Sequence, residues 1–148
     1  MAKMSTLSGI AGLNRALRKL PKETKATLTD ASKEIAEDVA ADARARAARI
    51  GRGWKHLGPT IRAEKSSKPG VKMGGSRRLK GRKGSRQTVG DLLWGTEFGG
   101  RGRPTTQQFL PHLGLEGYAL WPAVRGESDN TAERYSEALM SALESMAP

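Results

Sequence analysis

The sequence predicts one α+β domain: long N-terminal helices, a small antiparallel sheet with a long basic loop, and a C-terminal helix. Three observations predict it. Apolar residues recur at helical spacing near both ends, glycines interrupt a basic middle, and short apolar runs follow that middle. A length of 148 residues suits a single domain spanning residues 1–148. Its predicted parts are a helical segment at 1–50, a basic loop or hairpin at 51–88, strands at 89–125 and a C-terminal helix at 129–147.

The N-terminal part is predicted to form two amphipathic helices. In the first, apolar residues recur at helical steps: Leu7, Ile10, Leu13, Leu17 and Leu20. Pro21 suits the first turn of a second helix, which we expect to run from about Lys22 to about Ile50. Its acidic residues come early and its arginines late, which complements the helix dipole. Gly51 and Gly53 then supply a stop.

The middle of the chain carries most of its positive charge. From Arg44 to Arg86 there are fifteen Lys or Arg residues and one acid, Glu64, in a chain of formal net charge +11. The flanks are nearly balanced or acidic. So many cationic groups cannot be desolvated without partners, so this stretch either meets a polyanion or stays outside a packed core.

Local patterns subdivide this basic stretch. Ile61–Lys65 is predicted to be a short strand with Arg62 and Glu64 on one face. Lys68–Val71 carries the Pro-Gly signal of a turn. We expect Ser66–Gln87, which is rich in glycine, to be a hairpin tip or a long flexible loop that is poorly ordered without a partner.

The last third of the chain is predicted to contain strands and a helix. Residues 89–100 and 118–124 each hold a short run of large apolar side chains, which indicates strands. A glycine pair ends the first run. The final helix is expected to begin near Asn130, with Asn130 as N-cap and Glu133 completing a capping box.

The inventory of reactive side chains argues against an enzyme. The chain has no Cys, and therefore neither a disulfide nor a thiolate nucleophile. His56 and His112 lie in unlike contexts and Glu64 is the sole acid of the basic stretch, so no metal site is predicted. Gly81–Ser85 lacks the spacing of a phosphate-binding P-loop, and no cofactor is expected. Tyr118–Val124 is too short to cross a bilayer, so no membrane partner is expected.

Three features of the chain occur together in one known family. A helix rich in Ala, Lys and Glu ends in an Ala/Arg run at Ala40–Ile50. A predicted strand closes on Glu-Phe-Gly within Trp94–Gly100, and Phe109–His112 is followed by Trp121–Arg125 before the last helix. In these features the chain resembles the tail-component (tail-completion, or neck) proteins of long-tailed bacteriophages. It differs at Gly51–Pro59, where the family has a Pro-Val-Asp-Thr-Gly-type turn.

The resemblance implies a structural virion protein rather than an enzyme, namely a ring-forming subunit at the head–tail junction. It implies a homo-oligomer, expected to be a hexamer, with head–tail connector, tail-terminator or tail-tube proteins as partners. Such a subunit would be assembled in the host cytoplasm and reside in the virion. The alternative from another class is a free-standing, non-specific nucleic-acid-binding architectural protein.

In such a ring the basic loop is expected to contact double-stranded DNA, or else an acidic surface of a neighbouring subunit. The residues predicted to make this contact are Lys68, Lys72, Arg77, Arg78, Lys80, Arg82, Lys83 and Arg86. Those predicted at the subunit interface are Trp94, Glu97, Phe98 and Trp121. Glu97 is expected either in an intersubunit ion pair with Arg101 or Arg103, or at a solvent-facing strand end. Trp54 alone of the tryptophans lies in a basic context, where stacking on bases is an alternative to packing.

Overall fold

The computed structural model describes residues 2–79, 86–100 and 109–146. In that part of the chain, several helices and a two-stranded antiparallel sheet pack on one long helix, which confirms the α+β prediction. The α-helices are α1 (Ala2–Lys19), α2 (Lys22–Ile50), α3 (Trp54–Leu57), α4 (Leu93–Phe98), α5 (Leu120–Gly126) and α6 (Ser128–Glu144). The strands are β1 (Arg62–Ala63) and β2 (Val71–Lys72), and short 3₁₀ turns cover Gly58–Thr60 and Gly90–Leu92.

The long helix α2 is the element on which most others pack. Its predicted bounds are confirmed, and it ends where Gly51 adopts a φ of 71°, a conformation that favours glycine. One face is buried at helical spacing: Leu28, Ser32, Ile35, Ala36, Val39, Ala40, Ala43 and Ala47. Because many of these side chains are small, α5, α6 and the hairpin approach α2 closely.

The main hydrophobic core lies against the C-terminal half of α2. Buried residues from α3 through to α5 join it: Trp54, Leu57, Ile61, Val89, Leu92, Ala119 and Ala123. Trp54 is only 2% exposed, so stacking of this tryptophan on bases is wrong. The short helix α3 turns Trp54 and Leu57 inward and leaves the charged Lys55 outside.

The basic stretch forms two successive antiparallel pairings. Strand β1 pairs with β2, with Arg62 opposite Lys72 and Ala63 opposite Val71, which confirms the short strand predicted within Ile61–Lys65. Further on, Leu79 N–H donates to Gln87 O at 3.0 Å and Val89 N–H donates to Arg77 O at 2.9 Å. Of the two alternatives predicted for Ser66–Gln87, the described residues therefore fit a hairpin, in fact two successive ones, and not one long loop without backbone pairing. Residues 80–85 lie outside the described part of the chain.

The strands predicted within residues 89–125 are wrong. Residues 90–98 form a 3₁₀ turn followed by α4, and residues 120–126 form α5. The Asp91 carboxylate accepts the backbone N–H of Thr88 at 2.7 Å and its hydroxyl at 2.9 Å, which starts the helical turn and holds the pKa of Asp91 below its usual value. Pro122 does not prevent α5, because it lies in the first turn, where its missing N–H costs no intrahelical bond. A short apolar run fits either element.

The C-terminal helix begins earlier than predicted. It starts at Ser128, and the proposed capping box at Asn130 and Glu133 is wrong. The Asn130 side chain instead donates to Glu127 Oε2 at 2.9 Å, and Thr131 N–H donates to Glu127 O at 2.8 Å. Glu127, between α5 and α6, is therefore the N-cap residue, and its carbonyl accepts the first hydrogen bond of α6.

Glu97 in α4 connects this helix to α5. Its side chain is buried, with 2% of the residue exposed. Its carboxylate accepts the backbone N–H groups of Trp121 at 2.7 Å, Leu120 at 3.1 Å and Ala119 at 3.4 Å. A negative charge at a helix N-terminus is favourable, and three N–H donors compensate its burial. Gly117, with a φ of 72°, passes so close that a β-carbon there would overlap Glu97 Oε1.

We predict that Glu97→Ala lowers the free energy of unfolding by about 2–4 kcal/mol, because three N–H groups lose a charged acceptor in a buried place. Glu97→Gln keeps one acceptor oxygen and should lose about half as much. Urea unfolding followed by circular dichroism measures both. The exposed Glu116→Ala is the control and should stay within about 0.5 kcal/mol of the wild type. An equal, small effect of Glu97→Ala and Glu116→Ala would contradict this role.

Candidate nucleic-acid interface

Seven exposed basic side chains lie along the two antiparallel pairings and the turn of the first hairpin. We call them the basic band: Arg62, Lys65, Lys68, Lys72, Arg77, Arg78 and Arg86. Five of them were predicted to contact DNA or a partner. The other predicted members, Lys80, Arg82 and Lys83, lie outside the described residues. Arg62 and Lys65 were not among the predicted contact residues, although the strand prediction placed Arg62 and Glu64 together on one face.

Two members of the basic band are partnered within the chain. Lys72 Nζ lies 2.7 Å from Glu64 Oε1, and Lys68 Nζ donates to Asn14 Oδ1 at 2.8 Å. The exposed Lys72–Glu64 ion pair contributes little to stability because water already solvates both charges. The other five make no ion pair within the described part of the chain: Arg62, Lys65, Arg77, Arg78 and Arg86.

The strand register concentrates like charges on one side of the first hairpin. Arg62 and Lys72 are direct cross-strand partners, so their side chains project from the same face. Glu64, two residues after Arg62, shares that face and offsets part of the repulsion. On the opposite face, Val71 packs against the hydrophobic core. The hairpin therefore turns its apolar side inward and its cationic side to solvent.

Specific hydrogen bonds anchor the basic band to the helical body. The Tyr135 hydroxyl of α6 donates to Ser67 O at 2.9 Å, and burial raises the pKa of this phenol, so the donor stays protonated at neutral pH. Gly74 N–H donates to the Thr60 hydroxyl oxygen at 2.8 Å. Gly90 N–H donates to Gly75 O at 2.9 Å. The cations are thus carried by backbone that is tied down at three points.

The arginines at the end of α2 have a different role from the basic band. Arg44 donates to Ile61 O at 2.9 Å and pairs with Glu37, which joins α2 to the start of the hairpin. Arg46 pairs with Asp42 one turn earlier in α2, at 2.8 Å. These two charges are neutralised within the chain. The continuous basic stretch of the sequence therefore separates into structural arginines and solvent-facing ones.

The residues predicted at a subunit interface also divide into exposed and buried ones. Trp94 is 72% exposed and stacks on Phe98 with ring centroids 5.8 Å apart. Leu113 N–H donates to Phe98 O at 3.0 Å, and Leu113 is itself exposed. We call Trp94, Phe98 and Leu113 the aromatic patch. The prediction that Glu97 forms an intersubunit ion pair is wrong. Its carboxylate is buried and binds α5 of its own chain. Arg101 and Arg103 lie outside the described residues.

Trp121 lines a second apolar surface. It is 44% exposed and borders a groove of about 380 Å³ between α2, the hairpin and the α5–α6 corner. Other apolar residues lining this groove are Ala36, Val39, Val71, Leu120 and Val124. Monomeric proteins seldom leave large aromatic side chains exposed beside other apolar residues, so both surfaces suit contact with protein.

An acidic surface complements the basic band. Asp129, Glu133 and Glu137 recur every four residues on α6 and are exposed, which places them on one side of the helix. We call them the acidic face. They form no ion pair within the described residues, whereas Arg134 pairs with Asp38 of α2 and binds α6 to it.

No protein-family model, no curated protein and no solved structure matches the chain. Within the ranges that the structure describes, no group of three or more His, Cys, Asp or Glu side chains is arranged to hold a metal ion. None of the described helices combines the length and apolar character needed to span a membrane.

Proposed function

We propose that the chain is a structural, non-enzymatic subunit that self-associates and lays its basic band on the DNA backbone. The observation that carries this proposal is the set of five exposed cations that pair with no acid among the described residues and are held on anchored backbone. Lys and Arg contacts to phosphate neutralise the backbone charge whatever the base sequence. Among the described residues of the basic band and the turns between them there is no exposed aromatic side chain, so we expect contact with duplex backbone rather than stacking on single-stranded bases.

The specific setting that we propose is the neck of a tailed phage. There the chain would form a tail-completion ring at the head–tail junction, with connector, tail-terminator or tail-tube proteins as neighbours, and it would reside in the virion. This setting rests on the resemblance carried by short stretches such as Trp94–Gly100 and Trp121–Arg125. In the structure Trp94–Phe98 and Trp121–Arg125 are helical, and the Glu97 carboxylate joins them. A ring places many copies of the basic band around one DNA duplex, so weak contacts add together.

A second proposal is that the basic band docks on the acidic face of a neighbouring copy. Asp129, Glu133 and Glu137, which pair with no cation among the described residues, support it, since an interface gains register and specificity when positive and negative surfaces meet. The two proposals differ in what they require. DNA contact needs nucleic acid, whereas docking on the acidic face would cause salt-sensitive self-association of the protein alone.

We predict that Arg62→Ser/Arg77→Ser/Arg78→Ser weakens duplex binding and lowers its salt dependence. Each lost phosphate contact should reduce the slope of log affinity against log salt by about 0.9. Fluorescence anisotropy with an arbitrary duplex at several salt concentrations measures affinity and slope together. The control is Arg15→Ser/Lys19→Ser/Lys33→Ser, which removes the same charge from exposed positions on α1 and α2. Equal losses in both triple variants would show that only net charge matters.

We further predict that Trp94→Gln shifts the protein toward monomer, because it removes the most exposed ring of the aromatic patch. Light scattering coupled to size-exclusion chromatography reports the mass distribution. Met140→Gln is the matched control, as Met140 is also largely exposed but lies on α6. A wild-type protein that is monomeric at every concentration would remove the ring proposal and favour a free-standing nucleic-acid-binding protein.

A further inference from the structure

A polar pocket lies where α1 ends, α2 begins and the hairpin turn passes by. Its volume is about 250 Å³. The residues that line it are Asn14, Leu17, Arg18, Lys25, Ser67 and Lys68. Only Lys68 also belongs to the basic band, so this pocket is a separate feature. Of these residues, Leu17 is buried.

Three cationic side chains from three different elements converge on this pocket. Arg18 comes from α1, Lys25 from the first turn of α2 and Lys68 from the hairpin turn. No carboxylate lines it. Arg18 and Lys25 form no ion pair within the described residues. Bringing like charges together is unfavourable unless an anion lies between them. The arrangement is therefore suited to a bound anion.

The donors around the pocket match a tetrahedral oxyanion. A guanidinium offers a fork of N–H donors that fits phosphate oxygens, and an ammonium offers three rotatable donors. The Ser67 hydroxyl adds one more. Asn14 already accepts from Lys68 Nζ through Oδ1 at 2.8 Å, so its amide N–H groups remain available to an acceptor. No aromatic side chain lines the pocket, so it has no surface on which a base would stack.

We propose that this pocket binds a phosphoryl group, bridging α1, α2 and the hairpin through Arg18, Lys25 and Lys68. The phosphoryl group can come from a nucleic-acid backbone or from free polyphosphate, because both present the same oxygens. The pocket shares Lys68 with the basic band. Pyrophosphate binding here nevertheless requires neither Arg62 nor Arg77, so the two proposals can fail separately.

Isothermal titration with pyrophosphate at constant ionic strength tests the pocket. The wild-type chain should bind one pyrophosphate, and Arg18→Ser/Lys25→Ser should weaken binding by about tenfold or more, because it removes two charge-assisted donors. The control Arg15→Ser/Lys33→Ser removes equal charge from the same two helices at exposed positions outside the pocket. It should bind within about twofold of wild type. Melting in chloride buffer checks that each variant is folded.

A second arm identifies the source of the phosphoryl group. If Arg18→Ser/Lys25→Ser also loses duplex affinity relative to its control, the pocket takes a backbone phosphate. If duplex affinity is unchanged while pyrophosphate binding falls, the ligand is a free polyphosphate. Equal pyrophosphate binding by the two double variants, or none by the wild-type chain, overturns the proposal. Neither result depends on the triple variant of the basic band, so failures of the two proposals are distinguishable.

Discussion

The Glu97 carboxylate lies within hydrogen-bonding distance of three consecutive backbone N–H groups at the start of α5. This contact fixes α4 against α5, and it seats Ala119 and Ala123 in the core beside α2. It also fixes the positions of two tryptophans: Trp94 projects from α4 into solvent, and Trp121 borders the groove. A carboxylate buried to this degree is stable only while its donors stay in place, so the exposed aromatic surfaces depend on an interior charge.

The charges of the basic stretch divide by what they touch. Arg44 and Arg46 are paired with acids on α2, and Arg44 also holds the start of the hairpin. The basic band has few hydrogen-bond or ion-pair partners among the described residues and faces solvent. Tyr135 and Thr60 anchor the backbone that carries it. This separation explains how the chain carries a high net charge without unpaired cations in its core. Because of this separation, we expect that an anion bound to the solvent-facing cations would leave the fold intact.

The sequence could predict the parts of the fold that depend on local periodicity. The bounds of α2 followed from Pro21, a long apolar stripe and Gly51, and β1 followed from its alternation. The helices α4 and α5 could not be predicted, because a short apolar run fits a strand as well as a helix. The role of Glu97 was also beyond local patterns, as its partners lie more than twenty residues away in the chain. For the basic stretch, composition predicted the positive charge. It could not predict which arginines pair with acids of the chain and which face solvent.

Hydrogen–deuterium exchange of the wild-type protein, with and without an arbitrary DNA duplex at low salt, would show whether the basic band contacts the duplex. We expect slower exchange at residues 62–79 and 86–89 when DNA is bound, with residues 128–144 of α6 unchanged. The backbone amides of residues 119–121 should exchange slowly in both states, because the Glu97 carboxylate accepts their hydrogen bonds. Unchanged exchange across the basic band under saturating duplex, or protection confined to the acidic face, would contradict the account.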